Sequence, residues 1–111
     1  MTDPDFDARL TRLMSNLDET LNLLLNHGEN HWFKWATSCR AALHNNDAAA
    51  FDRVLGAFGG MGTFNDLWIL SVNGHAVEPD QEATVNDRLT ELRSLIWDDA
   101  MALRHELRAS S

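Results

Sequence analysis

Two histidines four residues apart with a carboxylate between them, His27-Gly28-Glu29-Asn30-His31, are the first residues of this chain whose spacing suggests chemistry. Paired imidazoles one helical turn apart ligate zinc in metalloprotease helices, but there the glutamate follows the first histidine directly and one continuous helix carries both. Gly28 is instead placed to end a helix between the two, and no third ligand can be identified, so a solvated turn is expected, with no metal and no cofactor. Cys39 is a nucleophile only if a histidine activates it, and His44, five residues on, falls on another helical face; a small buried core thiol is the expectation. No serine sits in a nucleophile elbow. Trp32-Phe33-Lys34-Trp35 offers rings on which bases could stack, yet single-strand binders set such rings in a basic groove, and Lys34 is the only base nearby. These rings read as core, with Trp35 the candidate anchor for a protein contact.

The segment Gly59-Gly60-Met61-Gly62-Thr63-Phe64-Asn65-Asp66 has more backbone freedom than a plain connection needs, since three glycines in four positions permit positive φ and close backbone approach. No lysine follows the last glycine, so it is not a phosphate-binding P-loop. The glycine spacing and the lack of a preceding strand exclude a dinucleotide fingerprint. A backbone anion nest and a close-packed turn in which Asn65 and Asp66 bond local amides both remain. Any chemistry of the segment rests on Asn65 and Asp66. A pocket built around it would draw polar groups from Asn65, Asp66 and His75 and an apolar lining from Phe64 and Trp68.

The elements that must position these residues are helical. Pro4 to Asn26 forms a first helix with Asp3 as N-cap, its apolar stripe formed by Phe6, Leu10, Leu13, Leu17, Leu21 and Leu24. A second runs from about Asn30 to His44 on the line Trp32, Ala36, Cys39, Leu43. A third, capped by Asp47, continues to Phe58 through Phe51, Val54 and Leu55. The run Leu67-Trp68-Ile69-Leu70-Ser71-Val72 admits two readings: one arm of a short β-hairpin across Asn73-Gly74 within residues 67–78, or a helix capped by Thr63 with Asp66 as capping-box partner. The last helix spans about Asp80 to Arg108, opened by Pro79 and lined by Val85, Leu89, Leu92, Ile96, Leu103 and Leu107. The fold class is mainly α: an antiparallel bundle of about four helices in a single domain over residues 1–111.

Seventeen Asp and Glu against nine Lys and Arg give a net charge of −8, spread over both ends of the chain. Such a field repels nucleic acid and anionic lipid, and it attracts a basic protein and speeds its association at low salt. One cysteine permits no intrachain disulfide. The N-terminus has no apolar signal region, and no run reaches the ~18 residues of a membrane span. A cytoplasmic protein is expected.

Together with Gly28-Glu29, Trp32 and Trp35, the run from Phe58 to Leu67 resembles a family of small bacterial domains of unknown function with a Gly-Gly-Met-Gly-Ser/Thr-x-Asn-Asp signature, over roughly residues 21–75. Such proteins look like the small acidic immunity proteins encoded beside toxins in bacterial competition systems; the resemblance carries over no catalytic residue. With the acidic balance and the lack of a catalytic set, this points to a non-enzymatic, antitoxin-like protein that occludes the active site of a basic toxin domain. Candidate partner-binding residues are Asp87, Glu91, Asp98 and Asp99 of the last helix with Trp35, while Gly59, Gly60, Gly62, Asn65 and Asp66 form the signature loop. Two other readings stand beside it: a small enzyme or ligand-binding domain with a pocket around Gly59–Asp66, and a homodimeric helical protein joined through its last helix.

Overall fold

The computed structural model describes residues 4–59 and 63–109. Helix α1 is Pro4–Asn26, with proline at the first helical position, where its missing N–H removes no helical bond; the expected cap, Asp3, lies outside the described residues. Leu13, Leu17 and Leu24 are fully buried, and Phe6, Leu10 and Leu21 pack beside them, as the apolar stripe requires. Gly28 ends α1 in the left-handed region (φ +74°). Its N–H donates to Leu25 O and that of Glu29 to Leu24 O, which satisfies the terminal carbonyls in a Schellman arrangement.

Helix α2, Asn30–His44, is opened by Glu29, whose carboxylate accepts the Trp32 N–H at 2.9 Å. It closes by the same device as α1: Asn46 stands at φ +56°, its N–H donating to Leu43 O while that of Asp47 donates to Ala42 O. Asparagine tolerates this conformation better than other side chains do. Helix α3 covers only Ala50–Leu55, shorter than the expected span from Asp47 to Phe58. The Asp47 carboxylate accepts the Ala49 N–H and caps a preceding turn rather than the helix, and at the far end Ala57 and Phe58 donate to carbonyls three residues back, tightening the chain into a turn.

Helix α4, Glu82–Ala109, follows a 3-10 turn at Pro79–Gln81, so the regular helix starts two residues later than expected. Ion pairs set it antiparallel to α1: Arg9 and Arg12 meet Asp99, while Glu19 meets Arg88. The faces of α4 beyond its apolar line are not uniformly charged and exposed, because Asn86, Arg93 and Asp99 are buried.

No strand forms among the described residues, so the hairpin expected within residues 67–78 is not made; neither is a helix through Leu70. Two 3-10 turns, Phe64–Asp66 and Ser71–Asn73, flank an extended stretch instead. Asn73-Gly74 does turn the chain, with Gly74 at φ +88°. The returning strand is absent because Ala76 pairs with His27 at the end of α1, its N–H donating to His27 O and its carbonyl accepting from the His27 ring. The core has two parts. One joins α1, α2, α3 and the second half of α4. The other is completed by Phe64 and Ile69, two fully buried side chains delivered by the non-helical stretch. Each is worth roughly 1.5–3 kcal/mol of burial. No helix among the described residues is long and apolar enough to cross a membrane.

Candidate functional site

The extended stretch has no neighbouring strand, so its polar backbone must find other partners. Asn86 supplies two: its Oδ1 accepts the Ile69 N–H at 2.7 Å, and its Nδ2 donates to Ile69 O at 2.9 Å. A buried side-chain amide thus does what a paired strand would do. The Leu70 N–H donates to Nδ1 of His75 at 3.1 Å, which leaves the His75 proton on Nε2, facing Glu29 Oε1 at 3.2 Å. Glu82 accepts both the N–H and the hydroxyl of Ser71, and these bonds hold its carboxyl below its ordinary pKa.

Arg93 completes the clasp. Its guanidinium donates to Phe64 O and Leu67 O at 2.9 and 2.8 Å, reaches the Thr90 hydroxyl at 3.2 Å and lies 5.8 Å from the centroid of the Phe64 ring. Burial pushes its pKa down, and the nearby Asp66 charge opposes that shift.

Fixing the stretch in this way leaves a cleft of about 510 Å³ between it and the outer side of α4. Phe58 and Trp97 form its apolar wall, their rings 5.4 Å apart. Gly59 and Asn65 border it from the glycine segment; Thr90, Arg93, Ser94 and Asp98 do so from α4. Gly60 and Gly62 lie outside the described residues. Thr63 donates its hydroxyl to Gly59 O.

The pocket expected around this segment is assembled differently. Asn65 does line the cleft, but His75 belongs to a separate groove with His27, Val77 and Gln81, on the Glu29 side of the stretch. Asp66 is exposed and stands outside the cleft lining. Phe64 cannot line a pocket, being fully buried among Trp32, Trp35 and Phe58. Trp68, 54% exposed, is likewise no part of the cleft.

Two of the expected partner-binding residues are placed elsewhere than on an open surface. Asp99 is 4% exposed, clamped by both Nε and NH2 of Arg12 at 2.9 and 2.8 Å and by Arg9 at 3.2 Å. It faces α1, because the register of α4 turns it inward. This pairing in turn raises the Arg12 pKa. Trp35 is half-buried in the ring cluster, 4.7 Å from Phe64 and 5.7 Å from Trp32, and its indole N–H reaches Arg53 O at 3.5 Å. It is a core ring rather than an exposed anchor.

Asp87, Glu91 and Asp98 are exposed on α4, with Glu91 2.8 Å from Arg88. The residues missed from the sequence are Arg93, Asn86 and Trp97. Trp97 stands off the apolar line of its helix and is 38% exposed, a placement that its position beside Ile96 could have revealed.

The other chemical candidates have structural roles. Cys39 is fully buried, and desolvation pushes its thiol up to about 12 against the opposing charge of Arg53, so it is not a thiolate near neutral pH. His27 donates from Nδ1 to Ala76 O, and His31 packs edge-on against Trp32. Among the described residues no group of three or more His, Cys, Asp or Glu is arranged to hold a metal ion.

Residues 25–78 match the model of a domain of unknown function (DUF6966). The matched stretch runs from the end of α1 through the clasped segment and stops short of α4, which supplies Asn86, Arg93, Trp97 and Asp98. No curated protein and no solved structure matches the chain.

Proposed function

We propose that this protein is a non-enzymatic, immunity- or antitoxin-like inhibitor that binds a basic protein partner and covers its active site. The observation that carries this reading is the outward face of α4. Asp87, Glu91 and Asp98 recur there at steps of four and seven, which places them on one exposed stripe, with the Trp97 ring beside it. Of the stripe, Glu91 is paired with Arg88, and most of the chain's other cations are engaged elsewhere. All eight arginines donate to groups of the same chain, six of them to carboxylates, and Lys34 is the single lysine. The outward field is therefore acidic, and it complements a domain whose substrate is polyanionic. Acting inside the cell that makes the toxin requires a cytoplasmic protein, with which a lone buried thiol agrees.

Co-expression with the product of the adjacent gene tests the reading. A stable complex is expected, with affinity falling as salt rises. Reversing Asp87, Glu91 and Asp98 to lysine abolishes the complex while the melting temperature stays within a few degrees. Binding that ignores both salt and the triple reversal would remove substrate mimicry as the mechanism.

A further inference from the structure

We infer that the cleft beside the glycine segment receives one guanidinium or ammonium side chain of the basic partner, held between the Trp97 ring and the Asp98 carboxylate. The inference rests on the basic-partner reading above and assigns it a contact point. Trp97 is fixed by Phe58 at 5.4 Å yet keeps 38% of its surface in solvent, so an aromatic ring is presented in a set orientation. Asp98 follows it directly and borders the same cleft. A cation seated there gains both the quadrupole of the indole and a carboxylate. Asn65 and Ser94 add side-chain oxygens that can accept its remaining N–H groups.

The cleft has a cation of its own, Arg93, whose donors are already committed within the protein. Both its terminal nitrogens donate within the protein, to two carbonyls and the Thr90 hydroxyl, and the residue is only 8% exposed. Arg93 therefore lines the cleft as a structural clasp, its terminal N–H groups already engaged rather than offered to an entering group. An anion would instead meet Asp98 at the rim and a protein of net charge −8.

Titration of a tri-arginine peptide amide into the ¹⁵N-labelled full chain, followed at the Trp97 indole N–H, tests the assignment. The peptide is expected to shift that resonance together with those of Asn65 and Ser94. Asp98→Asn, an exposed change that leaves the core untouched, weakens binding roughly two- to fivefold, as does Trp97→Leu. Asp80→Asn, which removes the same charge away from the cleft, leaves binding within error. The inference is overturned if tri-glutamate or inorganic phosphate shifts the Trp97 signal in place of tri-arginine, or if Asp98→Asn binds tri-arginine as tightly as the parent. A salt-sensitive complex with the adjacent gene product that is indifferent to Asp98→Asn overturns the cleft assignment alone. Tri-arginine seated in the cleft with no such complex overturns the inhibitor reading alone.

Discussion

The helical frame and the stretch from Phe64 to Ser71 satisfy their backbones in opposite ways. In α1, α2 and α4 an amide finds its partner four residues back, so each helix is specified by its own periodicity and held by an apolar stripe. In the stretch the partners are side chains: Asn86 for Ile69, His75 for Leu70, Glu82 for Ser71, and Arg93 for Phe64 and Leu67. Glu82, Asn86 and Arg93 fall at steps of four and seven on one side of α4, a polar stripe that reads main chain rather than water. The frame spreads its stability over many weak contacts. The clasped stretch concentrates its own in four residues, of which Arg93 also lines the cleft.

That contrast can be broken at either end. Leu17→Ala in the frame is expected to have the largest effect, a loss of about 2–5 kcal/mol, because a fully buried side chain leaves a cavity between packed helices. Urea unfolding measures it, and a loss below about 1 kcal/mol would mean that the stripe repacks freely. Asn86→Leu comes next, at roughly 2–4 kcal/mol, since the isosteric change strips Ile69 of partners for both its N–H and its C=O. Its signature is local: amide shifts move over residues 64–71 and around the cleft while those of α1 hold still. An Asn86→Leu variant as stable as the parent would show that the amide is not what holds the stretch.

The smallest effect is a pH dependence. Glu82 has its carboxyl depressed by the Ser71 N–H and hydroxyl, so its contribution is fully present above the unfolded value of about 4.3 and is lost as pH falls through the lower folded value. Glu82→Gln should therefore lower the melting temperature more at pH 7 than at pH 3. Equal offsets at both would show that the charge on Glu82 is irrelevant to Ser71.

The same contrast explains what the sequence made legible. Apolar periodicity and the stop at Gly28 placed α1 and α2 at their observed bounds, because those signals are local. The sequence leaves 67–78 open between hairpin and helix because its partners on α4 are polar residues, seventeen or more positions away for Asn86 and Arg93, whose stripe ordinarily reads as a solvent-facing side of the helix. Asp99 read as surface for a related reason. A carboxylate is normally exposed, and only the position of Arg9 and Arg12 on an antiparallel neighbour makes its burial tolerable. Of the site, Asn65 and Asp98 were legible from their residue types, whereas the Trp97 wall and the Arg93 clasp depend on how α4 is rotated against the segment.

Glu29 carries a consequence for how the molecule opens. Its amide closes α1 on Leu24, one carboxylate oxygen opens α2 on Trp32, and the other meets His75, which in turn holds Leu70. Three segments that would otherwise fray independently are tied to one residue. The corner between α1 and α2 and the stretch that ends at Ala76 therefore open as a single cooperative unit, exposing their amides to exchange together rather than one terminus at a time.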